Sequence, residues 1–130
     1  MTHIVKSESK AKNITLWILQ AFVALAFLGA GFAKLSGQPP MVETFNQIGV
    51  GQWFRYLTGS IEVLAAIMLL IPRVIPIGAI LLVCTMAGAV LTHLLIIGGT
   101  PVPPIVLLIL AAVIIWGRKQ MLLSLIKKQR

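Results

Sequence analysis

An all-α membrane protein, a bundle of four transmembrane helices, is the fold this sequence predicts, and three observations predict it. The chain has 130 residues, 58% of them hydrophobic and 11% charged, whereas an average soluble domain is about 45–50% apolar and about 25% charged. Its apolar residues gather into four runs separated by proline, glycine and charge. Its Lys and Arg fall almost entirely at one end of those runs. With three acidic residues, Glu8, Glu43 and Glu62, against 11 Lys and Arg, a water-soluble fold would expose large apolar patches and aggregate.

The first predicted helix covers about 14–35, with Asn13 placed to cap it and no charge before Lys34. Its apolar stretch of about 20 residues matches the hydrocarbon thickness of a bilayer. That is longer than the roughly 7–15 residues at the centre of a signal peptide, so it is expected to span rather than be cleaved. The second helix covers about 54–71, interrupted by Thr58, Ser60 and Glu62. A tight turn around Pro72-Arg73 leads into the third, about 74–97, whose one ionisable residue is His93. The fourth covers about 102–117, with Pro103 and Pro104 in its first turn, where a missing N–H costs little.

Two shorter amphipathic elements complete the chain. In the loop between the first two helices, Pro39-Pro40 is suited to open a short helix and Gly49 and Gly51 to stop it. Met41, Phe45 and Ile48 recur there at helical spacing, so this helix should lie at the outer interface or cap the bundle. The tail, 118–130, is basic and amphipathic, with Met121, Leu122, Leu125 and Ile126 on one stripe. The small residues Gly29/Ala33 and Ala87-Gly88-Ala89 read as helix-contact surfaces, and Ala24, Ala30 and Gly31 line the stripe of Lys34, which permits close packing.

Charge sets the expected topology. The arm 1–13 has Lys6, Lys10 and Lys12, the turn after the second helix has Arg73, and the tail has Arg118, Lys119, Lys127, Lys128 and Arg130. The opposite side has Lys34 and Arg55. Both termini should therefore be cytoplasmic, with the chain integral to the cell (inner) membrane. Trp17, Trp53 and Trp116 fall near the expected interfaces. The net charge of +8 then reflects topology and attraction to anionic lipid. Nucleic acid is not an expected partner, because no basic surface is interleaved with stacking aromatics.

The sequence also excludes chemistries. A single cysteine, Cys84, cannot run a thiol–disulfide relay or build a disulfide scaffold. A Cys-rich zinc or iron–sulfur site lacks its ligands. With two histidines, one in the N-terminal arm, neither haem nor metal is expected.

What remains is a small set of polar residues within apolar helices. Glu62 is the most informative, because a charge within a membrane helix costs about 2.5–3.5 kcal/mol on insertion scales and needs a partner, a proton or a water cavity. Thr58 lies one turn above it. Lys34 ends the first helix on the same outer side, where its long stem can pair with Glu62 or snorkel to the headgroups. His93 lies in the outer half of the third helix. Gln20 falls on nearly the same stripe as Lys34, nearer the inner end, where an interhelical hydrogen bond is the simpler role. Lys34, Glu62 and His93 come from three helices in one half of the bilayer, which predicts a ligand or proton site open to the outside. No catalytic residue stands out.

The segments GAGFAKLSG (Gly29–Gly37), GQWFRYLTGSIEVLAAIMLLIP (Gly51–Pro72) and TMAGAVLTHL (Thr85–Leu94) resemble the DoxX-like membrane proteins. The resemblance runs from about Ile14 to Trp116. It is carried by G-x-x-K-L at Gly31–Leu35, G-x-x-E at Gly59–Glu62 and A-x-x-x-H at Ala89–His93. It implies a four-helix transmembrane bundle with an outer interhelical loop, and recurrent polar positions at Lys34, Glu62 and His93. It also implies a link to thiosulfate:quinone oxidoreduction, to membrane complexes handling oxidative and thiol stress, or to membrane chaperones and cargo receptors. The chain has no redox ligand set of its own, so it is not expected to be an enzyme by itself.

Three functions follow as expectations. The first is an accessory or anchoring subunit of a membrane redox system, with a quinone-like ligand at the outer cluster and a redox-enzyme partner. The second is a small proton-coupled transporter using Glu62, which would need a homodimer. The third is a structural or assembly protein whose polar cluster holds the bundle together.

Overall fold

The computed structural model describes residues 9–128, and every element among them is helical. Helix α1 spans Lys10–Leu35. It starts four residues before the expected position, because Ser9 and not Asn13 is its cap. The Ser9 hydroxyl accepts from the Lys12 N–H at 3.0 Å, satisfying one of the donors a helix start leaves open. Most of the expected N-terminal arm, residues 1–8, lies outside the described residues.

Helix α2 spans Pro39–Ile48 and carries proline in its first turn, as the sequence predicts. It is closed by Gly49 at φ 86°, a left-handed position that favours glycine. Helix α3, Trp53–Met68, stops three residues short of the expected end. Ile71, just before Pro72, is extended at φ −108° and ψ 110°, as the residue before a proline prefers. A 3₁₀ turn at Pro72–Val74 leads into α4, Ile75–Thr92. α4 then widens into a π-helical turn, His93–Ile97. Helix α5 spans Val102–Gly117 and α6 spans Lys119–Lys128. The two are bent by 62° at Arg118, whose N–H bonds the carbonyls of Ile114 and Ile115 at 2.9 and 3.2 Å.

The four longer helices pack side by side, α1 against α3, α3 against α4 and α4 against α5, with α5 returning to α1. Phe27, Leu69, Leu82 and Ile114, one from each side of this ring, meet in a fully buried core. Large apolar side chains also cover the outside. On α1, Phe22, Leu25 and Phe32 are 60%, 72% and 67% exposed, an arrangement suited to an apolar solvent.

Helix length measures this against the four expected spans. Two segments, Lys10–Leu35 and Pro72–Ile97, are long and apolar enough to cross a bilayer, and the bent pair α5–α6 counts as a third. Helix α3 has 16 residues, about 24 Å at 1.5 Å per residue, short of the roughly 20 residues a span ordinarily needs.

The close helix contacts include Gly31, on the small-residue stripe the sequence suggested, but not Gly29 or Gly88. A Cβ on Gly31 would lie 2.8 Å from the Gly59 carbonyl oxygen, and one on Gly59 would lie 2.9 Å from the Lys34 Cβ. Gly78 lies against the α3 backbone at Ala65, and Gly117 against Leu16. A Cβ on Gly29 or on Gly88 would meet nothing within 4 Å, so neither is a helix-contact residue within this chain.

Candidate functional site

The crossing of α1 and α3 decides what Lys34 does. Gly31 and Gly59 let the two backbones touch, and the Lys34 Cβ sits directly over Gly59. With no side chain at Gly59 to block it, the lysine stem runs past that position to Glu62, one turn further along α3. The ammonium nitrogen lies 2.9 Å from Glu62 Oε1, and the two side chains are 15% and 2% exposed. Pairing therefore prevails over snorkelling. A buried carboxylate is tolerated when an opposite charge and hydrogen bonds offset its desolvation.

This pair forms part of the wall of a chamber of about 440 Å³, within the range of about 300–1,000 Å³ found for small-molecule sites. The chamber lies at the end of the helices that carries the α1–α3 connection. α1 contributes Phe27, Ala30 and Lys34, and α3 contributes Phe54, Thr58 and Glu62. α4 supplies Thr85, Met86 and Gly88, and α5 supplies Pro104 and Leu107. Helix α2 adds Met41, Phe45 and Ile48, the stripe its helical spacing predicted, so it covers this end of the ring. Thr58 donates its hydroxyl to the Phe54 carbonyl at 2.8 Å.

His93 is also in the chamber wall, half-buried at the first position of the π-helical turn. Its Nδ1 lies 2.9 Å from the Gly98 carbonyl oxygen. A carbonyl only accepts, so Nδ1 carries the proton in this contact and Nε2 is left to accept. Gly98, at φ 70°, closes the turn by donating its own N–H to the His93 carbonyl. Four of the predicted site residues, Lys34, Glu62, His93 and Thr58, thus come together around one space.

Gln20 does not join them. It is fully buried near the other end of α1, donating to the Leu69 carbonyl at 2.8 Å and accepting from Arg118 Nε at 2.7 Å. Arg118 reaches back from the α5–α6 bend, also donating to Asn13 Oδ1 at 2.9 Å. Gln20 therefore ties α1 to α3 and α5, the interhelical role.

Arg55 is the neighbour of the ion pair that the sequence argument missed. Read there as a flanking charge, it is 5% exposed. Its Nη1 donates to the Lys34 carbonyl, capping the end of α1, and its Nε donates to Gln52 Oε1 at 2.6 Å. Gln52 in turn donates to the Val42 carbonyl and to Asn46 Oδ1 at 3.1 and 2.9 Å, so one chain of bonds joins Lys34 to α2. The signal was present: Arg55 lies seven residues before Glu62, on the same helical face.

Fold and site together define a helical integral membrane protein with an ion pair set into an apolar chamber. The family model of the DoxX-like family matches residues 18–115, and the chain belongs to that family. The match contains Lys34, Arg55, Thr58, Glu62 and His93. No curated protein and no solved structure shows a significant match to the chain.

Proposed function

We propose that this DoxX-like protein is a four-span bundle of the cell (inner) membrane with both termini cytoplasmic. In this reading the chamber, in the outer half, holds a quinone-like ligand, and the chain serves as an accessory or anchoring subunit of a membrane redox system. The observation that carries the reading is the Lys34–Glu62 pair at 2.9 Å in a largely apolar chamber. An ammonium has three N–H donors, and beside its contact with Glu62 Lys34 makes no side-chain hydrogen bond to another described residue. Its remaining donors suit a carbonyl oxygen, and the Glu62 carboxylate suits a hydroxyl donor. Quinone and quinol present those two groups at one position. His93, half-buried in the chamber wall, suits proton exchange with the outside. Electrons come from a partner, because one cysteine and two histidines supply no redox centre.

The short α3 and α5 fit this topology if the bilayer thins locally or flanking residues snorkel. The same ion pair disfavours a proton-coupled transporter, since Lys34 occupies the position a cationic substrate would take at Glu62. Native mass spectrometry of the intact protein, purified in mild detergent, tests the proposal. A stoichiometric flavin-, haem- or sulfur-enzyme partner or a retained quinone is expected. A bare homodimer without ligand would contradict it and favour transport or a structural role.

A further inference from the structure

Gly88 both lines the chamber and is exposed on the outside of α4. Along α4 the exposed residues are Ile77, Ile80, Cys84, Gly88 and Leu91, recurring every three or four positions and so forming one stripe, which Leu95 in the π-helical turn continues beside the exposed Leu94 and Ile96. The four aliphatic members are 37–77% exposed. Gly88 belongs to this stripe and also lines the chamber beside Thr85 and Thr92. It is the position on α4 where the enclosed space and the apolar surface meet.

Nothing in the packing asks for glycine there. A Cβ on Gly88 would meet no atom within 4 Å, and its backbone is helical. Glycine inside a helix is about 1 kcal/mol less favourable than alanine. Gly31, Gly59 and Gly78 offset that through backbone contacts that a side chain would destroy, and Gly117 through close contact with the Leu16 side chain. Gly88 has no such contact, and its missing side chain leaves open space at a position that both lines the chamber and is exposed.

We infer that Gly88 is a lateral portal, through which the apolar chain of a bilayer-dissolved ligand leaves the chamber while its polar head rests at Lys34–Glu62. This rests on the reading of the chamber as a ligand site and narrows it. The ligand is a neutral amphiphile with a carbonyl-bearing head and one apolar chain, reaching the site from the bilayer. The paired charges of Lys34 and Glu62 give the head no net charge to bind, which selects against anions and cations alike. A volume of about 440 Å³ takes a substituted ring and a short stretch of chain, so a longer chain must run out along the α4 stripe.

The test compares two probes on the full chain in detergent: 2,3-dimethoxy-5-methyl-1,4-benzoquinone and its 6-decyl derivative. The readout is the ligand-dependent rise in thermal midpoint, converted to affinity through mass action. The decyl probe should bind at least about tenfold more tightly than the bare ring, or about 1.4 kcal/mol. Gly88→Phe should remove that advantage, bringing the affinities of the two probes together. Gly29→Phe, an equally open glycine outside the chamber wall, should keep it. An undiminished chain advantage in Gly88→Phe would overturn the portal and leave the ligand site standing. Failure of both probes on the unmodified chain would overturn the ligand site and the portal with it. A second measurement does not depend on tolerance of the bulky variant. In a Cys84→Ala background, the thiol introduced by Gly88→Cys should be protected from maleimide by the decyl probe and not by the bare ring. Equal protection by both, or by neither, would overturn the proposal.

Discussion

A lysine at the end of a membrane helix can send its ammonium out to the headgroups or inward to an acid, and here one neighbouring atom group decides. Gly59 offers no side chain, the Lys34 stem passes over it, and the charge is delivered to Glu62 at 2.9 Å. Lys34→Met should therefore leave a buried carboxylate without its cation and lower stability by about 3–5 kcal/mol, read as thermal midpoint in detergent. The double variant Lys34→Met/Glu62→Leu should recover most of that loss, because an apolar pair of similar volume removes both desolvation penalties. Arg55→Ala should cost about 1.5–3 kcal/mol by uncapping the Lys34 carbonyl and releasing Gln52. Glu62, Lys34, Thr58 and His93 were legible in the sequence because a polar group in an apolar helix announces itself. Gln20 announced itself equally, but its depth along α1 and the reach of Arg118 placed it in a different network. Arg55 was hidden by its position at a helix end, where a flanking charge and a buried cap look alike until the partner carbonyl is known.

Elements were legible where local chemistry sets them. Pro39 and Gly49 bound α2 as expected, and its Met41, Phe45 and Ile48 stripe faces the chamber. Pro103 and Pro104 lie in the first turn of α5. Missed boundaries belong to competing caps and to turns with weak signals, such as Ser9 in place of Asn13 and the early end of α3 before Pro72. Gly31 was legible from its place on the Lys34 stripe, but Gly29 and Gly88 were misassigned for a related reason: composition reveals small residues, but only the azimuth of each helix reveals which ones face a neighbour. Gly31→Ala or Gly59→Ala should force α1 and α3 apart, lowering stability by about 1–3 kcal/mol and loosening the Lys34–Glu62 pair. Gly29→Ala, with open space around its Cβ, should leave stability unchanged or raise it by up to about 1 kcal/mol. Thermal melts of the three variants side by side check the contrast.

At the scale of the whole molecule, two polar networks pin opposite ends of an apolar ring. Arg118, Gln20 and Asn13 tie α5 and α1 together at one end. At the other, Lys34, Glu62, Arg55 and Gln52 join α1, α3 and α2 around a space they do not fill. Gln20→Leu should therefore destabilise the protein by about 1–3 kcal/mol, through the unpaired Leu69 carbonyl and the lost Arg118 contact, while leaving ligand binding at the chamber intact. The proposed topology of four spans with both termini inside predicts that reporters fused at either terminus remain on the cytoplasmic side. The account turns on the chamber as a ligand site, and photoaffinity labelling with an azido-benzoquinone, mapped by mass spectrometry in the intact protein, tests it most directly. Adducts should fall on the segments carrying Phe27–Lys34, Phe54–Glu62 and Thr85–His93, be displaced by unlabelled quinone, and be lost in Lys34→Met. Labelling scattered over the exposed apolar faces, unaffected by competitor or by Lys34→Met, would contradict it.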